Sequence, residues 1–261
     1  VAVSLGIVTL VDLDSSWKSY GGVDAECAMP LWCQNAARLQ AALPAHWSSR
    51  QLVISEDPGM ARRLAASAGC VRLRVEPVLP ALQDAAASCI ARLKAQGRAD
   101  IDIANPRSTS FFKRISLHKW QLLALSRFDV LLFADADLEL MPLAEHDPRW
   151  VGRSWRSAIE RLLHAPATQI VADPDPKSPF NAGLFLLKPS AALYEEGVAL
   201  LQRCAYNKTH GWEGAPAAPL APPRRLGGRR VAGLRADDKR LHSWSFVGAD
   251  QDQVGAVGVL G

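Results

Sequence analysis

Short apolar, β-branched runs alternate with helix-patterned stretches along the first 75 residues, and this alternation restricts the chain more than any other feature. Residues 3–10 read as a buried strand, with polar turn residues over 12–16. A helix is expected over 33–43, a second strand over 51–55, a helix over 58–68 and a third strand over 71–75. Parallel strands need a crossover of a dozen or more residues, which a helix supplies, so this rhythm implies a parallel sheet. The expected class is α/β, with a mostly parallel sheet and helices on both faces. Such sheets bind ligands beyond the carboxyl ends of their strands, and the site is sought there.

Further along, residues 116–126 have helix-compatible apolar spacing, and 129–134 form a fully apolar strand that runs directly into Asp135-Ala136-Asp137. Val151, Trp155, Ile159, Leu162 and Leu163 recur at helical intervals with arginines on the other face, a pattern of packing rather than chemistry. Residues 170–172 and 183–187 read as strands and 191–203 as a helix. Over 211–239 the composition shifts to Gly, Pro, Ala and Arg, as expected of a flexible insertion in a single catalytic domain spanning 1–261.

The chain is 49% hydrophobic and 21% charged, which excludes wholesale disorder, and 261 residues can bury a core without disulfide or metal staples. Its apolar runs fall short of the roughly 20 residues that a membrane-spanning helix requires. The net charge of +4 arises mainly from Arg224, Arg225, Arg229, Arg230, Arg235, Lys239 and Arg240, read as a solvated loop, so nucleic acid is not an expected partner. Five cysteines contain no Cys-x-x-Cys pair and six histidines no zinc-ligand spacing, which argues against structural zinc. Their odd number leaves at least one thiol unpaired within the chain. Asn207-Lys208-Thr209 is a glycosylation sequon, relevant only to a secretory chain.

Asp135 and Asp137 stand one residue apart at the end of a buried strand, so in extended backbone both carboxylates can face one side and share a hard divalent cation. Alone, such a pair is equally a solvated turn. Here it has company: Lys119 lies sixteen residues upstream, Asn181-Ala182-Gly183 opens a later strand, and Asp250-Gln251 follows the insertion. Individually these too have plainer readings, Lys119 as a surface lysine, Asn181 as a cap and Gly183 as a packing glycine.

With Phe133-Ala134-Asp135-Ala136-Asp137, Ala172-Asp173-Pro174-Asp175-Pro176, Phe180 to Phe185, Lys188-Pro189-Ser190 and Ala249-Asp250-Gln251 in this order, the chain resembles glycosyltransferase family 8, the glycogenin-like nucleotide-sugar transferases. The resemblance covers most of the chain and implies a GT-A type fold and transfer of a hexose, with glucose expected, from a UDP-sugar to a hydroxyl acceptor with retention of configuration. It implies Asp135 and Asp137 as ligands of Mn²⁺ or Mg²⁺ and Lys119 as a contact to sugar or diphosphate. Asn181, Ala182 and Gly183 would line the sugar pocket, with Asp250 and Gln251 facing the anomeric carbon. Thr9, Leu10 and Asp12 match the uracil-binding turn in position, although Val11 and Asp12 depart from the usual polar pair, and Trp17 or Tyr20 could stack on the base. Asp252 is a spare acid. The family's His-x-x-Gly-x-x-Lys motif is not reached before Gly261, so little transferase activity is expected of these residues alone, and either the Golgi lumen or the cytoplasm suits the family. Two rivals stand beside this reading. A degenerate domain would bind nucleotide without turnover; a haloacid-dehalogenase-type phosphatase would want its motif early in the chain, with Thr or Val where Leu138 stands.

Overall fold

The structure, a computed structural model, describes residues 2–11, 25–70, 72–96, 117–135, 151–164, 168–172, 183–204, 206–207, 211–212, 224–226 and 229–235. Strand β1 (Ser4–Leu10) is followed by α1 (Ala25–Ala42), β2 (Ser48–Ser55), α2 (Pro58–Ser67), β3 (Leu73–Pro77) and α3 (Pro80–Ala95). A 3-10 helix over Lys119–Ala124 leads into β4 (Val130–Ala134), then α4 (Val151–His164), β5 (Thr168–Ala172), β6 (Leu184–Leu187) and α5 (Ala191–Arg203). The short β7 (Tyr206–Asn207) and β8 (Gly211–Trp212) pair with each other, and β9 (Arg224–Leu226) and β10 (Arg229–Arg235) close the described chain.

Local chemistry fixes several of these boundaries. Asp57 caps α2, its carboxylate accepting from the Met60 N–H at 2.8 Å, and Pro58 occupies the first helical position, where the missing N–H costs nothing. Ser190 caps α5 in the same way, accepting from the Leu193 N–H. Asp129 holds the starts of β1 and β4 together: its carboxylate accepts from the Ser4 N–H at 2.8 Å while its own N–H donates to the Ser4 carbonyl.

The strands form one sheet in the order β3-β2-β1-β4-β6-β5-β10-β9. Pairings β3 to β2, β2 to β1 and β1 to β4 are parallel; those from β4 through β6, β5 and β10 to β9 are antiparallel. Because only β6 and β10 reverse, most strands still point the same way, as the sequence rhythm implies. Helices cover both faces. One core packs α3, the 3-10 helix and α5 against Leu52, Leu131, Phe133 and Phe185; the other packs α1, α2 and α4 against Ile7, Val53, Leu132 and Leu186. Every residue of β4 is buried, which is why it reads as one uninterrupted apolar run.

Besides the 3-10 winding of Lys119–Ala124 and an earlier start of β2, at Ser48, the structure departs from the sequence reading in four places. Helix α1 begins at Ala25, well before the expected 33. Strand β3 is shifted two residues toward the carboxyl end, over Leu73–Pro77. Helix α3 was not expected at all; Leu82, Ala85, Ala86, Cys89, Ile90 and Leu93 do follow helical spacing, but small residues carry much of it. Fourth, the loop expected over 211–239 contains β9 and β10, and β10 joins the main sheet through Ala232 opposite Ala172.

Candidate active site

In the parallel half of the sheet β1, β2 and β4 end at the same edge, which brings Thr9 and Leu10, Ser55 and Glu56, and Asp135 together. Strand β6 runs the opposite way and therefore enters from that edge. Its first residue, Leu184, pairs with Ala134, and the ladder extends one step further as the Asp135 N–H donates to the Gly183 carbonyl at 2.8 Å. Asp135 and Gly183, 48 positions apart in sequence, are held side by side where the sheet changes from parallel to antiparallel pairing.

Lys119 completes this group. Its Nζ lies 3.0 Å from Asp135 Oδ1 and 4.5 Å from the centroid of the Phe133 ring, which stacks on Phe185, its cross-strand partner, at 5.0 Å. Lys119 is only 5% exposed, against the solvated lysine that the plain reading of 116–126 implies, whereas the Asp135 side chain remains 35% exposed. A cation so buried requires a counter-charge, and the Asp135 carboxylate supplies one at the end of a strand that is otherwise entirely apolar.

The buried placement of Lys119 follows from the 3-10 helix, whose residues Lys119 through Leu123 are all buried, where an amphipathic helix would expose one face. Trp120, 1% exposed, packs directly over Gly197 of α5; a Cβ there would collide with the indole ring. Gln121 bridges backbone past β3, donating from Nε2 to the Pro77 carbonyl at 2.9 Å and accepting at Oε1 from the Leu79 N–H at 2.7 Å. His118 Nε2 stands 3.4 Å from Glu56 Oε1. His118, Gln121, Glu56 and Gly197 thus hold or border the site without having been singled out from sequence. The available signal was a polar residue at the end of β2 and three polar residues within a segment too apolar to be surface.

Thr9 is fully buried and its Oγ1 has no hydrogen-bond partner among the described residues. Thr9 falls in the same alternation as Leu5, Ile7 and Val11, so its side chain lies on the face of the sheet that packs α1, α2 and α4. Leu10 faces the core with Leu52, Ile54 and Val78. Lys188, at the other end of β6 from Gly183, has its pKa lowered by burial; Tyr194, packed on the same core as Phe133, has its phenol pushed up by the same cause. Among the expected site residues, Asp12, Asp137, Asn181, Ala182, Asp250 and Gln251 lie outside the described residues, as do Trp17, Tyr20 and Asp252.

The described chain is thus an α/β protein with a lysine–aspartate pair at the carboxyl edge of its sheet. No protein-family profile and no curated protein matches it. Among solved structures it is similar to mannosyl-3-phosphoglycerate synthase from Rubrobacter xylanophilus, at 14% identity and a TM-score of 0.35 over 71% of this chain and 54% of that one. The match spans about half of that protein's length. No helix among the described residues is long and apolar enough to cross a membrane.

Proposed function

We propose that this chain is a GT-A type, metal-dependent glycosyltransferase that moves a hexose, with glucose the first candidate, from a UDP-sugar to a hydroxyl acceptor with retention of configuration. The observation that carries the reading is the Lys119–Asp135 pair beside Gly183, because it joins three residues from separate segments that the family resemblance nominates.

The donor chemistry at Asp135 suits a hard divalent cation: it is a carboxylate, partly exposed, at the carboxyl edge of the sheet. No group of three His, Cys, Asp or Glu side chains among the described residues could hold a metal, so Asp137 and diphosphate oxygens are the further ligands in this reading. Bound there, the ion would neutralise charge on the departing diphosphate. Lys119 supplies a second positive centre for the same charge, fixed in place by burial and the Phe133 ring before any ligand arrives. Thr9 stands near the nucleotide end of β1 in this proposal, and the Gly183 carbonyl, accepting from the Asp135 N–H, fixes the backbone that carries the carboxylate. Asn181, Ala182, Asp250 and Gln251 orient the sugar in this proposal, and Leu10 and Asp12 form the turn at the base.

Incubation with UDP-glucose and Mn²⁺ should release UDP, slowly from residues 1–261 alone and faster from a longer native chain that carries the His-x-x-Gly-x-x-Lys motif, and Asp135→Asn should reduce that release to background. Mn²⁺-dependent UDP binding without release would favour the degenerate domain. Neither binding nor release with any UDP-hexose would defeat both readings.

A further inference from the structure

Four of the five cysteines meet in two disulfides, one on each face of the sheet. On one face Cys33 of α1 bonds to Cys70, just beyond α2, with Cα atoms 5.8 Å apart and a sequence separation of 37. On the other, Cys89 of α3 bonds to Cys204, the residue that caps α5, with Cα atoms 5.1 Å apart and a separation of 115. Both separations fall in the narrow window that a disulfide can span without backbone movement. Cys33 belongs to the core with Ile7 and Leu132, Cys89 and Cys204 to the core with Leu131 and Phe133. Each bond therefore ties together the helices covering one face, through positions whose only other role is packing. Nothing in the sequence reading requires this, since a chain of 261 residues can build its core without staples.

From this geometry we infer that the chain folds and resides in an oxidising compartment, and that both disulfides are present in the mature protein, with Cys27 taking part in neither. Thiols in a reducing cytosol stay reduced, and two unrelated pairs, each correctly spaced and each on its own face, are the arrangement of secreted, luminal or periplasmic chains. Formation is by exchange. A cysteine thiolate attacks a disulfide donor, such as an oxidised oxidoreductase, to give a mixed disulfide; the second thiolate displaces the donor. Each bond formed takes two protons and two electrons from the chain and leaves the donor as a dithiol. The inference stands apart from the proposed transferase activity.

The test is to trap the thiols of the native chain in the cells that make it. Cells are quenched in acid, the chain is denatured in iodoacetamide without reductant, and its peptides are mapped. Among the five cysteines of residues 1–261, the expected result is label at Cys27 alone, with peptides linked through Cys33–Cys70 and Cys89–Cys204, and label at all five after reduction. Label at all five without reduction, or linkage through Cys27, would overturn the inference. As a second measurement, reduction of the purified protein should lower its Tm by about 10 °C or more, given the usual contribution of each disulfide. An unchanged Tm with all thiols demonstrably free would also overturn it.

Discussion

The two halves of the sheet reach the candidate site by opposite routes. In β3-β2-β1-β4 every strand delivers its carboxyl end to the same edge, and helices α1, α2 and α3 follow β1, β2 and β3 in the chain. From β6 onward pairing is antiparallel, and β6 presents its amino end there instead. At the β4–β6 boundary the end of a strand from the parallel half lies beside the beginning of an antiparallel one, which is how Asp135 comes to pair with Gly183. The parallel half supplies depth, with Thr9, Phe133 and Lys119 buried; the antiparallel half supplies a second chain segment at the mouth. A site at such a change of direction combines a rigid floor with a wall that separate sequence can vary.

Breaking the floor should have the largest effect. Phe133 is fully buried, stacks on Phe185 and underlies Lys119, so Phe133→Ala is expected to cost about 3–5 kcal/mol in urea unfolding. A loss below about 1 kcal/mol would mean that the two halves are not packed through this ring pair.

Lys119→Met separates charge from packing. The Asp135 carboxylate left behind is 35% exposed and stays hydrated, and Met fills the apolar volume of the lysine stem, so the unfolding midpoint should stay near that of the parent. UDP release should fall about 10²-fold in kcat, as when a single charge-stabilising group is removed from an active site. An unaltered kcat would confine Lys119 to a structural role.

Gly197 tests how the 3-10 helix is held against the sheet. Gly197→Val should cost about 1–3 kcal/mol by overpacking Trp120, and should also weaken UDP binding by moving the adjacent Lys119. Destabilisation with unaltered binding would uncouple Trp120 from the site.

The smallest effect is a contrast in native-state amide exchange. Amides of β1 and β4, central and paired on both sides, should exchange about tenfold or more slowly than those of β10, which lies between β5 and the three-residue β9. Equal protection would remove the distinction between the halves.

How far the sequence could be read follows the same division. Strands β1, β2 and β4 were legible because burial on both faces makes them continuous apolar runs. Strand β10, Arg229–Arg235, was not: its arginines and Gly233 match the surrounding loop composition, and only its partner β5 gives it a strand's role. At the site, Asp135, Lys119 and Gly183 were nominated from motif order, and the structure brings these three together. The burial of Lys119 was hidden because spacing suggested an amphipathic helix, while the segment winds as a tighter 3-10 helix with Lys119 through Leu123 all enclosed. Glu56 and His118 were hidden for another reason: they lie 62 positions apart, and no local pattern announces a contact made by tertiary packing.

Thermal unfolding with Mn²⁺ and UDP, alone and together, tests most directly whether the β4–β6 boundary is a nucleotide-diphosphate site. A ligand bound only by the folded chain and present at 100 times its Kd adds about 2.7 kcal/mol, which for a chain of this size raises Tm by about 5–10 °C. That rise should require both components, and Asp135→Asn, measured against its own ligand-free Tm, should abolish it. No rise in the parent protein, or an equal rise in Asp135→Asn, would contradict the assignment.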